Sequence, residues 1–176
     1  MPRVIDLSLP LYTGMPVYPG DPETLIEPVL TLDRDGWEMR RLQINAHDAT
    51  HVNTQSHGHA GGKALDDYPL ERFFGPACLY RDGMTMAPGT GVVFHDRDID
   101  PVIAQRIVER RPHFVGLSCA WEIDEAILKD LLAADVVVFE RLANTDQLPE
   151  TFTFHGLPLN IRGGDGSPVR AFAIVD

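Results

Sequence analysis

The 176-residue sequence has little cysteine, no long apolar run and few basic residues. Its two cysteines, Cys78 and Cys119, are too few for a disulfide framework, and both are expected to be small core residues. No apolar stretch approaches the roughly 20 residues of a membrane span. The chain enters a strand pattern within its first residues, so no signal peptide is predicted. These absences favour a cytoplasmic protein.

The basic residues are outnumbered by acidic ones. Lys and Arg total 15 against 26 Asp and Glu, which gives a formal net charge of −11. Nucleic acids and anionic membranes bind basic patches, so both are excluded as expected partners, and a small-molecule substrate is favoured. The apolar content of 44% is normal for a globular protein, and the length predicts a single domain over residues 1–176.

Two common catalytic motifs are also missing. The Gly-rich segment 162–168 lacks the Walker spacing and its lysine, so it is interpreted as a turn. The His-Glu-x-x-His signature of zinc metalloproteases is absent, which makes that class of enzyme a poor interpretation.

Histidine, by contrast, is concentrated in one segment. Four of the seven histidines lie in a single short stretch: His47, His51, His57 and His59. Imidazole binds zinc and similar metals and titrates near neutral pH, so the stretch offers metal ligands and a proton shuttle together. The cluster therefore predicts a functional site, and the alternative is a surface loop of histidines that bind nothing.

The residues before this cluster alternate between apolar and polar. Leu42, Ile44 and Ala46 predict a half-buried strand that ends at His47. Gly58, with further glycines beyond it, stops regular structure. We therefore expect a strand that delivers His47, followed by a folded-back loop.

Strand patterns dominate the rest of the chain. Helices are predicted from Asp100-Pro101 to about Arg110 and from Asp124 onward, and a short helix or turn is predicted over residues 64–73. Further strands are predicted at residues 3–9, 24–32, 77–81, 91–95, 113–117, 136–139, 152–161 and 169–175. This order indicates an α/β or α+β domain. Glu140 follows the apolar run 136–139, either as a site residue or paired with Arg141 or Arg162.

The histidine segment HDATHVNTQSH resembles the signature His-x-Gly-Thr-His-x-Asp-x-Pro-x-His of the metal-dependent cyclase family, which includes bacterial kynurenine formamidases and isatin hydrolases. The resemblance extends over IDLSLPLYTGMPVYPGDP, VVVFERLANTDQLP and LPLNIRGGDGSPVRAFAIV. It implies a cyclase-like (swivelling β/β/α) fold with a β-barrel-like mixed sheet and outer helices, commonly in homodimers or homotetramers. The matching motif positions are His47, Thr50, His51 and His57, and the departures are Ala49, Asn53 and Gln55.

The departures alter the metal site that the resemblance implies. The family's Asp and a late Glu, matched here by Glu140, often bridge two ions, and a further His lies before that Glu. This chain has Asn53 for the Asp and Leu128 for the His. Because Asn is a weak ligand and Leu is none, we expect one divalent ion, zinc or manganese. Its expected ligands are His47, His51, Asn53 and Glu140.

The resemblance further implies a metal-dependent hydrolase of a small amide, lactam or ester, similar to arylformamidases. His57 would act as general base and then as general acid, with Glu140 assisting. Tyr18, Trp37 and His59 would contact the substrate. Two alternatives stay open: a metal-free lyase, isomerase or cyclase in which His57 and Glu140 move protons, and an inactive binding protein.

Overall fold

The protein is described by a computed structural model that covers residues 2–175. Within these residues the strands are β1 Arg3–Asp6, β2 Leu25–Leu30, β3 Met39–Gln43, β4 His51–Asn53, β5 Phe74–Leu79, β6 Gly91–Phe94, β7 Val115–Ser118, β8 Val138–Leu142, β9 Thr151–His155, β10 Gly166–Pro168 and β11 Phe172–Val175. The α-helices are α1 Leu32–Asp35, α2 Gln55–Gly58, α3 Pro101–Arg110 and α4 Glu125–Ala133. Short 3-10 turns cover Leu65–Asp67, Leu70–Phe73 and Thr145–Gln147.

Nine strands form one mixed sheet in the order β1-β11-β9-β5-β6-β7-β8-β4-β10. The central strands β5 to β8 are parallel, and the strands on either side are antiparallel. Helices α3 and α4 connect β6 to β7 and β7 to β8, as parallel neighbours require a crossover. The remaining strands, β2 and β3, pair with each other in a separate hairpin.

The large sheet curls into a half-barrel. Leu7, just after β1, donates its N–H to Ala171 beside β11 and accepts from Ala143, which follows β8. Because β1 and β8 lie far apart in the strand order, one residue can reach both only if the sheet curves round. This confirms the expected α/β fold with a barrel-like mixed sheet.

The core has two layers, one on each face of the sheet. Val137 and Phe139 point into the curl with Phe114 and Phe154, whereas their neighbours Val136 and Val138 pack under the helices. Side chains alternate along a strand, so β8 contributes to both layers. On the outer layer, Leu128 packs beside the buried Leu131 and Leu132 of α4, as an ordinary apolar residue would.

Both longer helices begin where the sequence predicts. The carboxylate of Asp100 accepts from the N–H of Ile103, with Pro101 at the first helical position. Asp124 caps α4 by accepting from Ala126 and Ile127. These caps satisfy N–H groups that have no partner inside a helix.

The strand expected before His47 differs from the prediction. All five residues of β3 are exposed, and Leu42 retains 56% of its accessible surface. The alternation does not mark a core face because β3 pairs only with β2, outside the large sheet. β3 also ends at Gln43, so His47 lies in the following turn. His51 and Asn53, expected in a loop, belong to β4 instead.

Three other expectations are wrong. The strand predicted over 152–161 ends at His155, because its partner β11 begins at Phe172, the residue opposite His155. The next residue, Gly156, donates its N–H to the carbonyl of Phe73 and not to β11. Part of the predicted turn 162–168 forms β10. Cys119 is exposed rather than in the core.

The longest helix within residues 2–175 is α3, with 10 residues, and none there has the length and apolar character that crossing a bilayer demands.

Candidate active site

The candidate site lies where β4, β8 and β10 run side by side. His51 is directly opposite Glu140 of β8, and Asn53 is directly opposite Gly166 of β10. Directly paired residues of antiparallel strands share one face, as do residues two apart on a strand. His51, Asn53 and Glu140 therefore project from the same face of the sheet. Val138 also lies on this face, where it packs in the outer core layer under the helices.

The buried end of the site is a hydrogen-bonded group of three. Asn53 donates from Nδ2 to Oε1 of Glu140 at 2.6 Å, and Nε2 of His51 lies 3.6 Å from the same oxygen. The other ring nitrogen of His51 bonds to the Ala49 carbonyl at 2.9 Å. A carbonyl only accepts, so Nδ1 carries the proton and Nε2 keeps its lone pair.

Glu140 is an anion in this setting. Burial raises the pKa of its carboxyl, but the interaction with the facing His51 ring and the bond from Asn53 outweigh burial and hold that pKa below its usual value. Within residues 2–175 it makes no ion pair with Arg141 or Arg162. The alternative of an arginine-paired structural acid is therefore wrong.

A second group lies at the more exposed end. Oδ2 of Asp165 is 2.9 Å from Nε2 of His47 and 3.1 Å from Nδ1 of His57. The two rings are 3.9 Å apart between centroids. Ligand atoms of His47, His57 and Asp165 all lie within 4.8 Å of one another, so these three could hold a metal ion.

His47 joins the two groups. Its ring centroid lies 5.2 Å from that of His51, edge to face. A Cβ built on Gly166 would be 3.0 Å from His47 Nδ1, and it would collide with Cε1. Because that Cβ would project beside the Asn53 side chain, the His47 ring lies on the same face of the sheet as Asn53.

Hydrogen bonds to Asp48 hold the turn that carries His47. The buried carboxylate of Asp48 accepts from the hydroxyl of Thr24 at 2.5 Å and from the backbone of Asn45 at 2.8 Å. Ala49 follows with φ of 51°, a left-handed conformation that suits glycine. This is the position where the resemblance has Gly.

Thr50 then fastens the turn to both ends of the curled sheet. Its hydroxyl donates to the Arg141 carbonyl at 2.6 Å and accepts from the N–H of Leu9 at 2.9 Å. Its own carbonyl accepts from Val169. The side chain is buried, so its role is to hold the site's strands together.

Solvent exposure increases from the His51 end of the site to the His57 end, and burial affects the pKa values of His47 and Asp165 between them. Burial lowers the pKa of His47, against the bond to Asp165 that raises it. Burial raises the pKa of Asp165, but its bonds to His47 and His57 outweigh burial and lower it. Side-chain exposure is 7% for His51, 34% for His57 and 46% for Asp165. A substrate can therefore reach the His57 end from solvent.

Two of the expected metal ligands, His47 and Asn53, have a buried polar atom without a hydrogen-bond partner. Among the buried side-chain atoms without a hydrogen-bond partner are Nδ1 of His47 and Oδ1 of Asn53. Burying a polar atom without a partner costs free energy, which a bound cation would offset. Nε2 of His51 and a carboxylate oxygen of Glu140 are the other expected donors, and together the four residues would supply the nitrogen and oxygen ligands that a divalent ion takes. Within residues 2–175, the ligand atoms found within 4.8 Å of one another are those of His47, His57 and Asp165.

The expected substrate contacts are less concentrated. The Tyr18 hydroxyl donates to Glu125 of α4 at 2.9 Å, and a ring nitrogen of His59 bonds to the Lys129 carbonyl of α4 at 2.9 Å. Since α4 packs on α2, which carries His57, both lie on the helix side of the site. Trp37 is 75% exposed in the segment before β3, and within residues 2–175 it has no hydrogen bond to the histidines.

Asp165 and Gly166 are the site residues that sequence reasoning missed. Both lie in the Gly-rich segment that was interpreted as a turn. The available signal was the resemblance of this segment, GGDGSPV, to the family's carboxyl-terminal region. Their distance from the histidine motif along the chain hid their role.

The chain is similar in sequence to a known protein family. The model of the Cyclase family matches residues 5–131. This chain belongs to the Cyclase family. It is 27% identical to the kynurenine formamidase of Salinibacter ruber, over 96% of this chain and 95% of that protein.

Two solved structures have the same fold. Isatin hydrolase A from Ralstonia solanacearum superposes with a TM-score of 0.80 at 20% identity, covering 99% of this chain and 92% of that one. A predicted metal-dependent hydrolase from Bacillus stearothermophilus gives 0.80 at 21% identity, covering 100% of both chains. The relatives' names are those of hydrolases that act on C–N bonds.

Proposed function

We propose that this chain is a cytoplasmic, metal-dependent hydrolase of an amide, lactam or ester in a small, aromatic molecule. The observation that supports it most directly is the pair of buried, unpartnered atoms, His47 Nδ1 and Asn53 Oδ1, beside the His51–Glu140 pair. The names of its relatives, a kynurenine formamidase and an isatin hydrolase, support the amide class of substrate.

The ion, zinc or manganese, would be held by His47, His51, Asn53 and Glu140. When bound there, such an ion supplies Lewis acidity toward the substrate carbonyl and toward the attacking water. Glu140 contributes the negative charge of the set. Asn53 contributes a neutral oxygen in place of a second carboxylate, which is the reason to expect one ion rather than two.

His57 is the proposed general base. Its Nδ1 is directed to Asp165, so the proton on the ring resides there and Nε2 is free to accept. Nε2 would take a proton from the water that adds to the carbonyl carbon. It would return that proton to the leaving nitrogen or oxygen as the bond to carbon breaks. The products are a carboxylic acid and an amine or alcohol, joined in one molecule where the substrate is cyclic.

The walls of the substrate site are proposed to include Tyr18, Trp37 and His59. Tyr18 lies on a proline-rich loop that is anchored to α4, so its ring has a fixed position. The engagement of His59 with a backbone carbonyl suits a fixed wall rather than a proton carrier.

Metal content and hydrolysis, measured on the same preparation, test this function. Protein purified without a His tag should contain about one zinc or manganese per chain, as expected for a mononuclear site. It should hydrolyse at least one of a panel of formanilides, lactams and aryl esters, lose that activity with a chelator and regain it with added ion. Failure to bind zinc or manganese would favour a metal-free lyase or isomerase. Binding without hydrolysis would favour a binding protein.

Self-association into a dimer or tetramer is also proposed. The β2–β3 hairpin and its connection expose Leu32, Trp37, Met39 and Leu42, each by more than half. Such a concentration of exposed apolar side chains is uncommon on a monomer. Light scattering should give a mass at least twice 19.5 kDa, and Trp37→Ser with Leu42→Ser should reduce it. A monomeric mass for the unmodified chain would contradict this.

A further inference from the structure

We propose that Asp165 is a positioning residue that fixes the tautomers of His47 and His57 at once, through a single carboxylate oxygen. The inference concerns the protonation of two rings in the metal-free chain. It rests on the proposed function only for what those rings do afterwards.

Thr54 holds the backbone of Asp165. Its carbonyl accepts from both the N–H and the hydroxyl of Thr54, at 3.0 and 2.9 Å. Thr54 directly follows β4 and precedes α2, which carries His57. The Asp165 carboxylate is therefore held in a fixed position between the turn that carries His47 and the helix that carries His57.

The hydrogen bonds at Oδ2 then dictate where the ring protons lie. An ionised carboxylate has no proton to donate, so each nitrogen that bonds to it must be a donor. Nε2 of His47 and Nδ1 of His57 are the two nitrogens within reach, at 2.9 and 3.1 Å. In their neutral forms the two rings therefore have opposite tautomers.

Opposite tautomers give the two rings different tasks. His47 is left with a lone pair on Nδ1, the buried atom that lacks a partner. A histidine that donates its other nitrogen to a carboxylate is the usual arrangement for a metal ligand. His57 is left with a lone pair on Nε2, as a general base needs. One acid thus prepares a ligand and a base.

The competing role for Asp165 is direct ligation, since its oxygen and the two histidines could enclose an ion. The two roles predict different effects of Asp165→Ala. Alanine removes the oxygen that both ring nitrogens share, so the tautomer of at least one ring is no longer fixed. If Asp165 only positions the two rings, this substitution should weaken metal binding by about 10–100-fold without abolishing it.

The test is long-range ¹H–¹⁵N NMR of histidine-labelled, metal-free protein at about pH 8, where neutral imidazole dominates. The unmodified chain should have His57 protonated on Nδ1 and His47 on Nε2. Asp165→Ala should change the tautomer of at least one ring. Asp66→Ala is the matched control, because Asp66 bonds to Gly163 in the same Gly-rich segment, and it should change neither ring.

Two results would overturn the proposal. One is a pair of tautomers that Asp165→Ala leaves unchanged. The other is complete loss of zinc binding in Asp165→Ala, equal to that of His51→Ala, which would make Asp165 a ligand. If the tautomers respond as expected but the unmodified chain takes up no ion, the positioning role stands and the proposed hydrolase fails.

Discussion

The ring of His47 lies over the backbone of Gly166, in the space that a Cβ atom would fill. Gly166 is also the strand partner of Asn53. The glycine therefore brings two expected metal ligands, His47 and Asn53, together from different segments of the chain. The glycine is required here by close approach, since a methyl group would meet the imidazole and, at 2.7 Å, the backbone oxygen of Val52.

Gly166→Ala should therefore impair both the site and the pairing of β10 with β4. A displaced His47 ring should weaken zinc binding by about 10–100-fold, as the loss of a ligand's support does. Titration calorimetry with zinc would measure this. Gly156→Ala is the control, because its Cβ would strike Phe139 and Phe154 in the core. It should lower the melting temperature and leave zinc affinity unchanged, and the opposite pattern would contradict the role given to Gly166.

Asn53→Asp should have opposite effects on the metal-free and metal-loaded protein. Without an ion it loses a hydrogen bond to the charged Glu140, worth about 1.5–3 kcal/mol, and sets two carboxylates together. With an ion, the added carboxylate should raise affinity. Compared with the unmodified chain, the variant should have a lower melting temperature without zinc and a larger increase in melting temperature when zinc is added. Asn160→Asp, at an exposed position, should show neither effect.

If Asn53→Asp binds zinc no better than the unmodified chain, then Asn53 is not in the ion's ligand set. The Asn53 amide would in that case serve mainly to bond to Glu140.

Thr50→Val should destabilise the half-barrel. The hydroxyl links Leu9, near one end of the strand order, to Arg141 in β8, and valine keeps the shape but not the bonds. A partly buried group left unpaired costs about 1–3 kcal/mol, so the free energy of unfolding should fall by about that amount. Denaturant titration would measure it. Thr50→Ser should recover most of the loss, and unchanged stability of Thr50→Val would contradict the role given to the hydroxyl.

The elements that sequence predicted well are those set by local chemistry. Helix α3 begins and ends where Asp100-Pro101 and Arg110 indicate, because capping is decided within a few residues. The prediction for β3 was wrong because the same alternation suits a core strand and an exposed hairpin, and only the tertiary partner distinguishes them.

The site was predictable in part for a similar reason. His47, His51 and His57 are close along the chain, and their resemblance to a family motif drew attention to Glu140. Asp165 was not predictable from spacing, because strand pairing between β4 and β10 brings it to the histidines. A carboxylate in a Gly-rich turn carries no local sign of such a partner.

In the proposed mechanism, His51 holds the ion and His57 acts on the substrate. Zinc content of three untagged proteins, unmodified, His51→Ala and His57→Ala, loaded and desalted side by side, tests it most directly. We expect about one zinc per chain in the unmodified protein and in His57→Ala, and none in His51→Ala. Turnover in His57→Ala should fall by about 10²–10⁴-fold, the usual contribution of a general base. Loss of zinc from His57→Ala with its retention in His51→Ala would contradict the account, and would locate the ion between His47, His57 and Asp165.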